Sequence, residues 1–138
     1  SNQTMKICVL YFSRSGNTKY VAEKISDSLN AKVLDINSCN ISEVKQFDLL
    51  IVGTPVEGFR PSKEIIAFVK KIPFVEKKKA IVFCTYALWK ARALKSLGND
   101  LKKKGYDIIG SVSKRGVVPN KTDLSKIILE INDQIKNN

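Results

Sequence analysis

The stretch Met5-Lys6-Ile7-Cys8-Val9-Leu10-Tyr11-Phe12-Ser13-Arg14-Ser15-Gly16-Asn17-Thr18 decides the fold. From Met5 to Phe12 it is almost wholly apolar, as a strand buried on both faces of a parallel sheet must be. It then breaks into Ser13, Ser15, Asn17 and Thr18 around Gly16, after which Val21, Ala22, Ile25 and Leu29 recur on one helical face. A helix that starts straight after a buried strand leaves free N–H groups pointing out of the connecting loop. Those groups and the helix dipole favour an anion, and hydroxyls add donors around its oxygens. A plain helix cap needs one Ser, Thr or Asn, and four of them around a glycine exceed that need. Residues 13–18 therefore read as a phosphate-binding loop.

The same strand-then-helix alternation continues to the end of the chain. Strands are expected at Lys32 to Ile36, Asp48 to Thr54, Ala80 to Thr85 and Tyr106 to Val112. Helices are expected at Asn17 to Leu29, Ser62 to Ile72, Leu88 to Lys104 and Lys121 to Lys136, with a helical turn near Ile41 to Lys45. Pro73 and Gly105 stand where two of the helices should stop. Right-handed crossovers joining five such strands give an α/β fold: one doubly wound, five-stranded parallel sheet of order 2-1-3-4-5 with helices on both faces. Sheets of this kind bind ligands at the carboxyl ends of their strands, beside strand 1. The loops Ser13–Thr18, Thr54–Pro61, Thr85–Lys90 and Ser113–Asn120 gather there.

At 138 residues the chain suits one domain able to bury a proper apolar core. Ser1-Asn2-Gln3-Thr4 reads as a disordered start or a remnant of expression, and residues 5–138 as the domain. The absence of histidine excludes histidine metal sites and Ser/Cys-His catalysis. Cys8, Cys39 and Cys84 are too few and too scattered for a disulfide framework, a zinc site or an iron–sulfur cluster, so a reducing cytoplasm is the expected compartment. Cys84 reads as an interior strand residue and Cys39 as part of an exposed link. No apolar run reaches the ~18–20 residues of a membrane span.

The net charge is +11, and residues 60–104 carry +10 of it, with 13 basic and three acidic side chains. Lys70, Lys71, Lys77, Lys78, Lys79, Lys102, Lys103 and Lys104 fall at helix ends opposite the ligand loops, where cations complement the dipole. Arg60, Lys63, Lys90, Arg92 and Lys95 fall at helix starts on the ligand side, a collar suited to an acidic partner. No nucleic-acid motif accompanies the charge, and nucleic acid is not expected as a partner.

Other phosphate chemistries fit poorly. The chain has neither GxxxxGK followed by Ser or Thr nor GxGxxG. A response-regulator receiver needs carboxylates after strands 1 and 3, where this chain has Ser13-Arg14 and Thr54-Pro55. Cys8 and Arg14-Ser15 share the spacing of tyrosine phosphatases, but Cys8 falls mid-strand among apolar neighbours, where a thiol is not activated. Tyr11-Phe12-Ser13-Arg14-Ser15-Gly16-Asn17-Thr18, followed by Val21-Ala22, resembles instead the FMN-phosphate loop of the flavodoxin family, Ser/Thr-x-Ser/Thr-Gly-x-Thr. Gly53-Thr54-Pro55-Val56 with Arg60-Pro61 is similar to the second flavin loop of short-chain flavodoxin-like proteins, above all those that elsewhere carry a ferredoxin domain. The resemblance extends from about residue 5 to 136, and strand 5 lacks the insertion of long-chain flavodoxins.

The resemblance implies FMN as cofactor, held by Ser13, Arg14, Ser15, Gly16, Asn17 and Thr18 at its phosphate. The ring would meet Thr54, Pro55, Val56, Glu57, Gly58 and Phe59 after strand 3, and Thr85, Tyr86, Ala87 and Trp89 after strand 4. The tryptophan common in the loop after strand 3 is missing, which leaves Val56 or Phe59 to cover that side. Gly58 has two readings, a peptide that flips beside the flavin N5 atom or simple turn chemistry. Trp89 likewise either meets the ring or opens the following helix.

The function implied is electron transfer between a reductase and an acceptor, with no catalytic acid, base or metal, by a monomer or weak dimer. Positive charge near the flavin favours its anionic reduced form, so a higher potential is expected than in an acidic flavodoxin. An NAD(P)H-dependent quinone or flavin reductase on the same fold is the alternative, and a flavin-free interaction module the third reading.

Overall fold

Three apolar runs become the centre of a sheet. A computed structural model describes residues 5–138; the expected loose start at residues 1–4 lies outside the described residues. Strands β1 (Ile7–Tyr11), β3 (Leu49–Glu57) and β5 (Lys78–Tyr86) lie side by side, flanked by β2 (Lys32–Asp35) and β6 (Tyr106–Arg115). The order is β2-β1-β3-β5-β6 with every pair parallel, the 2-1-3-4-5 arrangement of the five main strands. A short sixth strand, β4 (Arg60–Pro61), folds back antiparallel onto the end of β3. The helices are α1 (Asn17–Leu29), α2 (Lys63–Lys71), α3 (Ala93–Lys102) and α4 (Ser125–Lys136), with a 3-10 turn at Ile41–Gln46.

The period of two in each strand sorts the core into two layers. Leu10, Val52 and Val82, in register across the sheet, face Ile65 and Val69 of α2 and Leu97 and Leu101 of α3. Their neighbours Val9, Ile51 and Ile81 face Val21 and Ile25 of α1 and Ile127 and Ile131 of α4. All these side chains are buried, and burial of a Val, Leu or Ile contributes about 1.5–3 kcal/mol each. The rigid strands aim their carboxyl ends, and the loops that follow them, at one edge of the molecule.

Two helices start later than periodicity predicts. Leu88 and Trp89 imitate an apolar stripe but stand exposed in a loop, and α3 begins only at Ala93, after Ala91 in the left-handed region (φ +48°). Residues 121–124 likewise remain outside α4, where the Asp123 carboxylate accepts from the Ser125 N–H (3.0 Å) and Oγ (2.7 Å). Those two bonds hold the Asp123 carboxyl below its usual range. Strands β3 and β6 run about three residues further than expected, to Glu57 and Arg115.

The outer strand β6 is guarded. Ala80 pairs with Ile108 and Ile81 with Gly110, so Ile109 is an extra residue that bulges the strand. Gln134 of α4 lies over this point and donates from Nε2 to the Ser111 carbonyl at 3.1 Å. A Cβ on Gly110 would fall 2.1 Å from Gln134 Oε1, so a larger residue there would require the Gln134 side chain to move. Among the described residues no helix is long and apolar enough to cross a membrane.

Candidate functional site

The loops after β1, β3, β5 and β6 enclose a cleft of about 250 Å³. Arg14, Ser15 and Asn17 come from the first loop and Pro55, Val56 and Glu57 from the end of β3. Thr85, Tyr86 and Ala87 come from the end of β5, and Gly116 and Val117 from the turn after β6. The sequence pointed to the last loop but to none of its residues. Gly116 and Val117 belong to no motif; the signal available was the location of their loop at the carboxyl end of an outer strand.

At the floor of the first loop, Gly16 takes φ +100° to turn the chain from β1 into α1. Ser13 Oγ accepts from the N–H of Gly16 and of Lys19, both at 3.1 Å. Its acceptor side is thereby occupied, and the hydroxyl proton is the part left to donate. No hydrogen bond within the described residues engages the N–H of Asn17 or Thr18, the first two of α1. Thr18 Oγ1 is buried and bonds Thr85 Oγ1 at 2.7 Å, which joins this loop to the end of β5.

The turn between β3 and β4 is built in the same way, from the backbone outward. Gly58 (φ +57°) and Phe59 (φ +67°) are both left-handed, as a two-residue hairpin turn with the right twist requires. Thr54, fully buried, donates from Oγ1 to the Pro55 carbonyl (2.8 Å) and accepts from the Ser62 N–H (2.9 Å). Thr54 therefore fixes the hairpin and does not line the cleft. Phe59 projects from its tip, 62% exposed, so Val56 is the apolar residue that lines this wall.

Arg14 ties the two loops together. Its guanidinium bonds Glu57 through Nε (2.9 Å) and Nη2 (2.8 Å) and reaches Glu64 of α2 at 2.8 Å, while lying 4.9 Å from the centre of the Phe12 ring. The Arg14 bonds hold the Glu64 carboxyl below its usual range, and the two carboxylates push the Arg14 guanidinium up.

Trp89 is also outside the cleft, 67% exposed in the loop before α3, and it opens no helix. Leu88 and Val118, the residues after Ala87 and Val117, are exposed and do not line the cleft. None of the three thiols lines it. Burial pushes the Cys8 and Cys84 thiols up to about 12, which leaves Cys8 far from the thiolate that the phosphatase spacing would require.

A family model described as a flavodoxin domain matches residues 8–136. The chain belongs to the flavodoxin domain family. A relative, an uncharacterized protein of Methanocaldococcus jannaschii, is 32% identical over 115 residues, which is 81% of this chain and 76% of that protein. Among solved structures, oxidised flavodoxin 2 from Bacillus cereus superposes with a TM-score of 0.80 at 20% identity, covering 96% of this chain and 98% of that one. Flavodoxin 1 from Bacillus cereus gives a TM-score of 0.76 at 24% identity, covering 95% and 97%. In this flavodoxin domain the cleft lies at the carboxyl ends of β1, β3 and β5, beside the point where strand order reverses.

Proposed function

We propose that this flavodoxin domain binds FMN in the cleft and carries electrons between protein partners. One observation supports the reading above the rest: Ser15 and Asn17, at a helix start where the Asn17 N–H is unengaged among the described residues, line the same cleft as an apolar wall. The donor set suits a phosphate, and Pro55, Val56, Ala87 and Val117 with Tyr86 suit a flat, mostly apolar ring. Ser13, Ser15, Gly16, Asn17 and Thr18 would hold the phosphate. Arg14 would act from the side, since its guanidinium is already bound to Glu57 and Glu64. FMN supplies one- and two-electron redox chemistry when bound, and no acid or base of the protein is needed.

The cleft is small against the roughly 300–1,000 Å³ of sites that swallow a whole ligand. A ring held there keeps an open edge, as an electron carrier needs. The loops that supply the cleft, and the helix starts after them, also carry exposed Phe59, Leu88, Trp89 and Val118 and exposed Arg60, Lys63, Lys90 and Arg92. An acidic partner with apolar contacts is the matching surface.

Titration of the purified chain with FMN, followed by flavin absorbance and fluorescence quenching, is expected to saturate at one equivalent. A protein that stays colourless after excess FMN overturns the reading. The loaded protein is expected to keep its oxidised absorbance with NADPH alone and to lose it once a reductase is added. Rapid bleaching by NADPH alone would make the chain an enzyme instead of a carrier.

A further inference from the structure

A second groove, of about 440 Å³, runs along α3 beside the outer strand and shares no lining residue with the cleft. Val82, Leu94 and Ile108 give it an aliphatic floor, and Arg92, Lys95 and Lys102 stand along it. These cations, three and then seven residues apart, share one side of the helix. No carboxylate lines the groove, and none of the three pairs with one among the described residues. Lys102 also borders the next hollow, with Lys77, Lys78 and Lys79 against the single carboxylate of Asp107, so the net positive wall continues past the end of α3.

Gly98 is what leaves the floor open. A glycine inside a helix costs stability relative to alanine. Nothing nearby demands it, since a Cβ there would meet Ile108 Cγ1 at 3.7 Å, an ordinary contact. The chain thus has a helix-weakening residue at the point where any side chain would begin to fill the groove.

We propose that this groove docks an extended acidic segment of a partner protein, with aliphatic side chains seated beside Gly98 and carboxylates against Arg92, Lys95 and Lys102. From Arg92 to Lys102 the wall is about 15 Å long at 1.5 Å per residue. That is the length of four or five extended residues at about 3.3 Å each. No aromatic ring lines the groove on which a base could stack, which favours a peptide over single-stranded nucleic acid. The bulge at Ile109 and the Gln134 cover oppose strand addition to β6, so side chains, not sheet pairing, would hold the segment. Docking here does not depend on the flavin reading.

The probe is a blocked peptide of alternating glutamate and leucine, titrated at low salt into the isotope-labelled full chain and followed by amide NMR shifts. Saturable shifts are expected at Leu94–Lys102 and Ile108–Ser111, and none with lysine replacing glutamate in the peptide. Lys95→Glu combined with Lys102→Glu should weaken binding about tenfold or more. Gly98→Leu should abolish binding, and Gly98→Ala should weaken it while raising the melting temperature, which separates a filled groove from a damaged fold. No binding, shifts confined to the flavin-side loops or to Lys77–Lys79, unchanged affinity in the charge-reversed variant, or tighter binding of a single-stranded oligonucleotide at the groove would each overturn the proposal.

Discussion

Gly53 sits in β3 opposite Phe83 of β5, and a Cβ there would lie 2.0 Å from the phenyl Cζ. The next residue, Thr54, fixes the hairpin that walls the cleft. Gly53→Ala must therefore displace a buried ring or bend β3 where the site begins, and is expected to cost about 1–3 kcal/mol in a urea titration. The Arg14–Glu64 pair sets an acid limit of its own. The Glu64 pKa is lowered in the folded chain by its bond to Arg14, so the pair's contribution is complete above the ordinary carboxylate range and is lost as pH falls through the lowered value. Glu64→Gln should flatten this part of the stability profile between neutral and acid pH; parallel profiles for parent and variant would show that the pair contributes nothing. Loop 13–18 was legible because its chemistry is local, six residues between a strand and a helix. The Arg14 cluster was not, since its partners lie 43 and 50 residues away and no periodicity links them. Nor did the motif show that Ser13 spends its lone pairs on the helix start.

The helices differ in how they begin. Ser62 Oγ accepts from the Ile65 N–H at 3.1 Å and caps α2, which has Glu64 in its first turn and Lys70 and Lys71 in its last. By contrast α3 has no side-chain cap and no acid in its first turn. Ser62→Ala should cost about 1 kcal/mol and Arg92→Asp should gain roughly 0.5–1 kcal/mol in chemical denaturation, opposite signs from one physical cause. If Arg92→Asp destabilises the chain, the cation at α3 has a structural role that the geometry does not reveal. The same contrast explains which elements could be read. Apolar runs gave β1, β3 and β5, and α1 lies where its glycine and its apolar face put it. The start of α3 was hidden because Leu88 and Trp89 repeat the helical spacing while exposed. Two-residue β4 is too short to have a period, and it forms because the Gly58-Phe59 turn returns the chain onto β3.

At the scale of the molecule the +11 charge resolves into separate surfaces. Lysines at the ends of α2 and α3 complement helix dipoles, while Arg60, Lys63, Lys90 and Arg92 belong to the cleft-side loops and helix starts. Replacing those four by glutamine should slow partner reduction of the FMN-loaded protein at low salt, with little difference at high salt, as steering across a Debye length of about 10 Å at 0.1 M predicts. Stopped-flow rates that do not change with the substitutions would remove the collar from the docking reaction. At the opposite side of the sheet, the Gln134 cover and the Ile109 bulge bear on behaviour in a crowded solution. A ten-residue outer strand is a template on which another chain can nucleate, and a flat one would invite fibrous growth. Here the Gln134 amide, resting where Gly110 has no methyl group, occupies one acceptor of that strand, the Ser111 carbonyl. A methyl group at Gly110 would push that amide aside and bare the Ser111 carbonyl, so one carbon atom separates a covered acceptor from a free one.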